Sequence, residues 1–137
     1  MIIKHFSELP ADSVDIRNEV FVNEQGFTEE FDTDDKTALH LVAFIDNIAV
    51  ATCRIIEMKN NAYAIGRVAV RFTFRGKGVG SAIVSAAEQL IKNSNGKEVF
   101  IHSQLRAVPF YERLGYVSNG DYDEEEGCPH CMMIKKI

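Results

Sequence analysis

Arg75-Gly76-Lys77-Gly78-Val79-Gly80-Ser81 decides how the rest of the chain is read. The stretch follows a β-like run, Ala62 to Arg71, and opens a helical one, Val79 to Asn93. In the helical run Val79, Ala82, Ile83, Ala86, Leu90 and Ile91 fall near one face. Glycines let the backbone turn sharply and come close to a ligand. The first N–H groups of a helix lack internal partners, and the helix dipole adds partial positive charge there. Such a turn suits an anion, a pyrophosphate in particular. Arg75 and Lys77 add charge.

Four readings of the loop compete. A Walker loop needs Gly-x-x-x-x-Gly-Lys-Ser/Thr, and that spacing is absent. A dinucleotide fingerprint needs Gly-x-Gly-x-x-Gly in a βαβ unit. Here the glycines run Gly-x-Gly-x-Gly after what reads as an antiparallel meander. A coenzyme A pyrophosphate loop is the third reading, and a tight turn that binds nothing is the fourth. The loop alone leaves the last two open.

Working outward, Ile2 to Phe6 reads as a first strand, and Asp12 or Ser13 as the cap of a helix through about Val22. Val14, Arg17, Val20 and Phe21 lie on one face of that helix. Residues 28–37 are polar and acidic and read as a loop, solvated in its acidic cluster Glu29 to Asp35. Leu39 to Lys59 is a β-hairpin turning at Asp46-Asn47. Beyond the glycine loop come a short buried strand at Val99–Ile101 and a helix over Ala107–Leu114 stopped by Gly115. Tyr116–Tyr122 and Met132–Lys136 close the sheet, with a second acidic cluster at Asp121 to Glu126. Helices with a mostly antiparallel sheet make an α+β domain.

At 137 residues one domain, 1–137, with one core is expected. The net charge of −5 and the lack of a basic stripe exclude a nucleic-acid binder. No apolar run is long enough to span a bilayer, and the N-terminus is too soon polar for a signal peptide. A cytoplasmic protein, away from membranes, is expected. Three cysteines, Cys53, Cys128 and Cys131, argue against a disulfide scaffold. Cys128-Pro129-His130-Cys131 has the spacing of a thiol oxidoreductase motif. That chemistry needs a helix behind the first cysteine to lower its pKa. The strand-like Met132-Met133-Ile134 forbids one. One cysteine pair with scattered histidines is not a four-ligand zinc set, so no metal is expected.

Arg75-Gly76-Lys77-Gly78-Val79-Gly80 resembles the signature Arg/Gln-x-x-Gly-x-Gly/Ala of the GNAT family of acetyltransferases. Gly66-Arg67-Val68-Ala69-Val70 is similar to the strand before it, and Ala107 to Tyr116 to the family's Ala-x-x-Phe-Tyr-x-x-x-Gly-Phe/Tyr stretch. A narrower resemblance, to the small bacterial ElaA-like and YjcF-like subgroup, rests on three pieces. They are Arg17 to Phe27, the acidic loop into Ala38-Leu39-His40, and Glu126-Gly127-Cys128-Pro129-His130-x-x-Met133.

The resemblance implies the GNAT acyl-CoA N-acyltransferase fold, in which central strands of a mixed, mostly antiparallel sheet splay into a cleft flanked by helices. It implies acetyl-CoA as donor, with its pantetheine arm on the backbone of Val68, Ala69 and Val70. The pyrophosphate would lie on Arg75, Gly76, Lys77, Gly78, Val79, Gly80 and Ser81. Tyr111 would donate a hydrogen bond or a proton to the departing thiolate. An amine, of a small molecule or a peptide, would attack the thioester directly. Glu24, His40, His102 and His130 are candidates to accept its proton, with Glu24, Gln25, Arg67, His102 and His130 as acceptor-binding residues. Arg67 could instead pair with a nearby acid. The chain could also be a sensor that binds acyl-CoA with little turnover, and a homodimer stays open.

Overall fold

A computed structural model describes all residues, 1–137. The chain runs β1 (Ile2–Phe6), α1 (Ala11–Arg17), β2 (Leu39–Ile45), β3 (Ile48–Glu57), β4 (Ala62–Val70), α2 (Val79–Asn93), β5 (Glu98–Gln104), α3 (Val108–Arg113), β6 (Val117–Glu125) and β7 (Cys128–Lys136). The seven strands form one sheet in the order β1-β2-β3-β4-β5-β7-β6. Every neighbouring pair is antiparallel except β4 with β5. The hairpin between β2 and β3 turns at Asp46 and Asn47, both with positive φ, the backbone that Asp and Asn tolerate best among residues with a side chain.

Strand alternation sorts the apolar residues onto two faces. Leu41, Ala43, Cys53, Ile55 and Ile65 pack with Val79, Ile83, Val84, Ala87 and Ile91 of α2 in the larger core. Val42, Ala49 and Ala69 pack on the other face with Ile16, Val20 and Phe21. Covering both faces explains why β3 is buried along most of its length. No helix is long and apolar enough to cross a membrane.

The first helix departs from its sequence reading. Its N-cap is Pro10 and no side chain caps it. Ser13 is instead buried, 2.8 Å from the hydroxyl of Thr52 on β3. The helix is regular only to Arg17, and Asn18–Glu24 widens into a π-helical coil. In the 28–37 segment Thr33–Lys36 makes a 3₁₀ turn closed by a reciprocal cap between Asp32 and Asp35.

The feature that makes room for a site is the divergence of β4 from β5. They pair in parallel only over Ala62–Ala64 with Glu98–Phe100. Beyond that point the strands are unpaired with each other. A bulge in β4 between Gly66 and Ala69 adds a twist, with Arg67 at φ +51°.

Candidate active site

Between the diverging strands lies a cleft of about 960 Å³. Val68 and Gly66 of β4 line one wall, Phe100, His102 and Gln104 of β5 the other. Ala107 and Tyr111 border it from the α3 side, and Met58, His130 and Met132 also reach it. Two links tie its rim. The Gln104 amide donates to Gln25 Oε1 at 2.7 Å. Glu126, in the β6–β7 turn, accepts from the N–H and hydroxyl of Thr28 at 2.9 and 2.7 Å and from the N–H of Glu29 at 3.1 Å. These bonds hold the Glu126 carboxyl below its ordinary range.

The glycine loop sits outside this cleft, at the start of α2. Gly76 and Gly78 have φ of +74° and +79°, and Gly78 caps the helix in the left-handed region. The first helical bond is donated by Ala82 to Gly78. None of the N–H groups of residues 76–81 has an acceptor within the protein. A Cβ on Gly78 would meet open space, whereas one on Gly80 would come within 3.3 Å of Phe110. Gly80 is thus a packing glycine, seating α2 against α3, and Gly76 and Gly78 are turning glycines.

Tyr111 is buried, in edge contact with Phe110 and Tyr116 at centroid distances of 4.9 and 6.0 Å. Burial raises its phenol pKa well above the ordinary value, with Cys53 adding to the effect. Its hydroxyl makes no hydrogen bond within the protein. It is therefore a group that keeps its proton and has a free donor, bordering the cleft.

Beneath the cleft three arginines meet three acids. Arg17 binds Glu30 at 2.9 Å and Asp35 at 2.7 Å. Arg54 binds Asp32 at 2.7 Å and Asp35 at 3.0 Å, and Arg67 binds Glu30 at 2.9 Å and Asp32 at 3.3 Å. Burial alone would raise the Asp35 pKa, but the guanidiniums and the Asp32 N–H outweigh it and hold the carboxyl far below its usual range. For Glu30 burial wins over its arginines and the pKa is raised. The acidic cluster Glu29 to Asp35 is therefore not the solvated loop that its composition suggests. Glu30 and Asp35 are each only 5% exposed, because charged groups can be buried when fully paired.

On the far wall His102 and His130 stack, with centroids 4.5 Å apart. His130 Nδ1 lies 2.8 Å from the Cys128 carbonyl, and His102 Nε2 2.7 Å from Asp123. Glu125 Oε1 lies 3.4 Å from His102 Nδ1.

The family sequence model for the acetyltransferase (GNAT) domain matches residues 9–137. The chain belongs to the GNAT family of acetyltransferases. Among curated relatives the GNAT chain is 30% identical to the uncharacterised N-acetyltransferase YjcF of Bacillus subtilis, over 98% of this chain and 97% of that one. Among solved structures it is similar to a Lactobacillus plantarum protein, with a TM-score of 0.89, 29% identity and 99% of each chain covered. It is also similar to Escherichia coli ElaA, with a TM-score of 0.84, 28% identity and 98% and 99% covered.

The GNAT fold expected from the loop is thus present, with its splayed central strands. Of the candidate residues, it brings Val68, Gln25, Arg67, His102, His130 and Tyr111 to the cleft. Ala69 turns its side chain into the smaller core and Val70 packs near Gly80, so only their backbone could serve a ligand. Four candidates have partners within the protein. The Arg75 guanidinium is held by both oxygens of Glu24 at 2.9 Å and by the Val70 carbonyl at 2.8 Å. Arg75 and Glu24 thus pair with each other at a partly exposed position. His40 is buried with Nε2 2.9 Å from the Asp35 carbonyl, and it buttresses the arginine cluster. Arg67 pairs with Glu30 and Asp32 and also lines the cleft.

The cysteine motif lies wholly within β7. Residues three apart on a strand point to opposite faces. Cys131 is in the core and Cys128 near the surface, so the two thiols are not an adjacent pair. Sequence reasoning missed Asp123 and Glu125 as individuals, since they sit inside an acidic run, and named Glu126 only within a stretch of resemblance. The one available signal was the turn glycine Gly127, which puts Glu126 at a hairpin tip.

Proposed function

We propose that this GNAT acetyltransferase moves an acetyl group from acetyl-CoA to an amine by direct attack in a ternary complex. The observation that carries the reading is the run of six partnerless N–H groups at residues 76–81, beside a cleft opened by two diverging strands. The N–H groups would bind the donor's pyrophosphate, with Lys77 as the free cation. The unpaired edge of β4 at Val68–Val70 would hydrogen-bond the pantetheine arm, which has amides to match it. The thioester then comes to the Tyr111 end of the cleft.

Three chemical needs follow. An amine of pKa near 10.4 costs about 4.6 kcal/mol to deprotonate at pH 7. His130 is the residue best set to accept its proton. Its Nδ1–H donates to the Cys128 carbonyl, which leaves the lone pair on Nε2. A β4 backbone N–H near the bulge would stabilise the tetrahedral oxyanion. Tyr111 would donate a hydrogen bond to the thiolate as charge builds on sulfur. A phenol raised by burial gives a hydrogen bond more readily than a whole proton.

The test is release of free CoA from acetyl-CoA against a panel of small amines and amino-terminal peptides. Acceptor-dependent release is expected for at least one class. Tight donor binding with no release across the panel would instead support a sensor.

A further inference from the structure

We propose that His102, Glu125 and His130 form a site for one zinc-class divalent cation on the acceptor side of the cleft. The three residues come from three strands, β5, β6 and β7, and their donor atoms lie within 4.8 Å of one another. All three border the cleft, so an ion has an entry path.

The ring nitrogens argue most strongly. A carbonyl only accepts, so His130 donates from Nδ1 to Cys128 and presents Nε2 with a lone pair. His102 donates from Nε2 to Asp123, which in the neutral ring leaves the lone pair on Nδ1. Glu125 Oε1 lies 3.4 Å from that nitrogen with no hydrogen bond between them, so two acceptors stand close together. A cation between them removes the conflict. Metal-bound histidines usually donate their other ring N–H to a carboxylate or a backbone carbonyl, and here each does one of the two. Two imidazoles and one carboxylate suit zinc, copper or nickel rather than magnesium or calcium. Three protein ligands leave a fourth position open to the cleft. Zinc–nitrogen bonds of about 2.0–2.1 Å require the donors to draw closer. Glu125, about half exposed at the end of β6, has the freedom to do so.

The consequence rests on the proposed function: a metal on His130 Nε2 occupies the nitrogen assigned to the amine's proton, so the ion inhibits transfer. The site itself is tested without activity. Cobalt(II) is titrated into the intact, metal-free protein and followed by its visible d–d absorption, with zinc displacement followed by calorimetry. One ion per chain is expected, with the intense low-symmetry cobalt bands. His102→Ala and Glu125→Gln, both at partly exposed positions, should each weaken uptake at least tenfold. Asp123→Asn should weaken it about tenfold, because the bond that orients the His102 ring is weakened. Cys128→Ser should leave it unchanged. Absence of saturable uptake at micromolar cobalt overturns the site, as does uptake that His102→Ala leaves intact or Cys128→Ser removes. If His102 is merely an imidazolium bridging Asp123 and Glu125, the titration shows no uptake. Failure of acetyl transfer would leave these readouts untouched, so the two proposals fail separately.

Discussion

Arg17 holds both carboxylate oxygens of Asp35, at 2.7 Å from Nη1 and 3.0 Å from Nη2, with both side chains buried. Asp35 also accepts from Arg54, so one carboxylate anchors two buried guanidiniums below the cleft. Removing it leaves each guanidinium short of one buried partner, Arg17 keeping Glu30 and Arg54 keeping Asp32. Asp35→Ala should destabilise the fold by about 3–5 kcal/mol, measured by urea unfolding at neutral pH.

The acid limb of stability gives the sign. Asp35 has a folded pKa depressed below its ordinary 3.8. Its contribution is present above that ordinary value and is lost as pH falls through the folded one. Glu30, with a raised pKa, works in the opposite sense: its contribution is present in acid and fades as pH rises through the folded value. Wild-type stability should therefore fall steeply below about pH 4, and Asp35→Ala should flatten that fall. Parallel curves for the two proteins would show that the pair is not linked to stability.

Glu126 should matter for acceptor handling more than for donor binding. Its bonds to Thr28 and Glu29 tie the rim across the cleft. Glu126→Ala should raise the acceptor KM several-fold and leave the acetyl-CoA Kd nearly unchanged. Equal weakening of both would mean that the link holds the whole cleft rather than its acceptor side.

The glycine loop and the helix behind it were legible because local chemistry sets them. Gly76 and Gly78 need positive φ, and the apolar spacing after Val79 is helical. The Asp46-Asn47 turn was legible for the same reason. Ion pairing was not. Nothing near Arg75 in sequence announces its ion pair with Glu24, 51 residues away. The 28–37 acids read as a solvated loop because their arginine partners, Arg17, Arg54 and Arg67, lie on α1, β3 and β4. The grouping of His102, Glu125 and His130 depends on strand register, which composition does not carry. The π-helical widening after Arg17 had no signal either, since its apolar residues fit an ordinary helix.

Tyr111→Phe should lower kcat by about 100-fold, the low end for positioned acid catalysis, with little change in the acetyl-CoA Kd. The ring stays, so the edge contacts with Phe110 and Tyr116 persist. A hydrogen bond that strengthens with charge on sulfur falls mainly on the transition state. Single-turnover rates are the measurement, because slow product release cannot mask them. An unchanged chemical step would remove Tyr111 from the mechanism.

The cysteines should be dispensable for transfer. Cys131 is enclosed and Cys128 points away from it across the strand. Burial pushes the remaining thiol, Cys53, up to about 12, so it is no nucleophile at neutral pH. Cys128→Ser should keep turnover within a few fold. A loss of a hundredfold in the folded variant would signal a covalent acyl-enzyme.

The most direct measurement is a calorimetric titration of acetyl-CoA into the wild-type protein and into Gly78→Asp, side by side. A Cβ at Gly78 meets open space and Asp tolerates its left-handed φ of +79°, so the variant should fold. Its carboxylate would sit among the free N–H groups of residues 76–81 and repel a pyrophosphate. Saturable one-site binding to the wild type, with loss of at least tenfold in the variant, is the predicted result. No binding to the wild type at millimolar acetyl-CoA, or equal binding by a folded Gly78→Asp, would contradict the account.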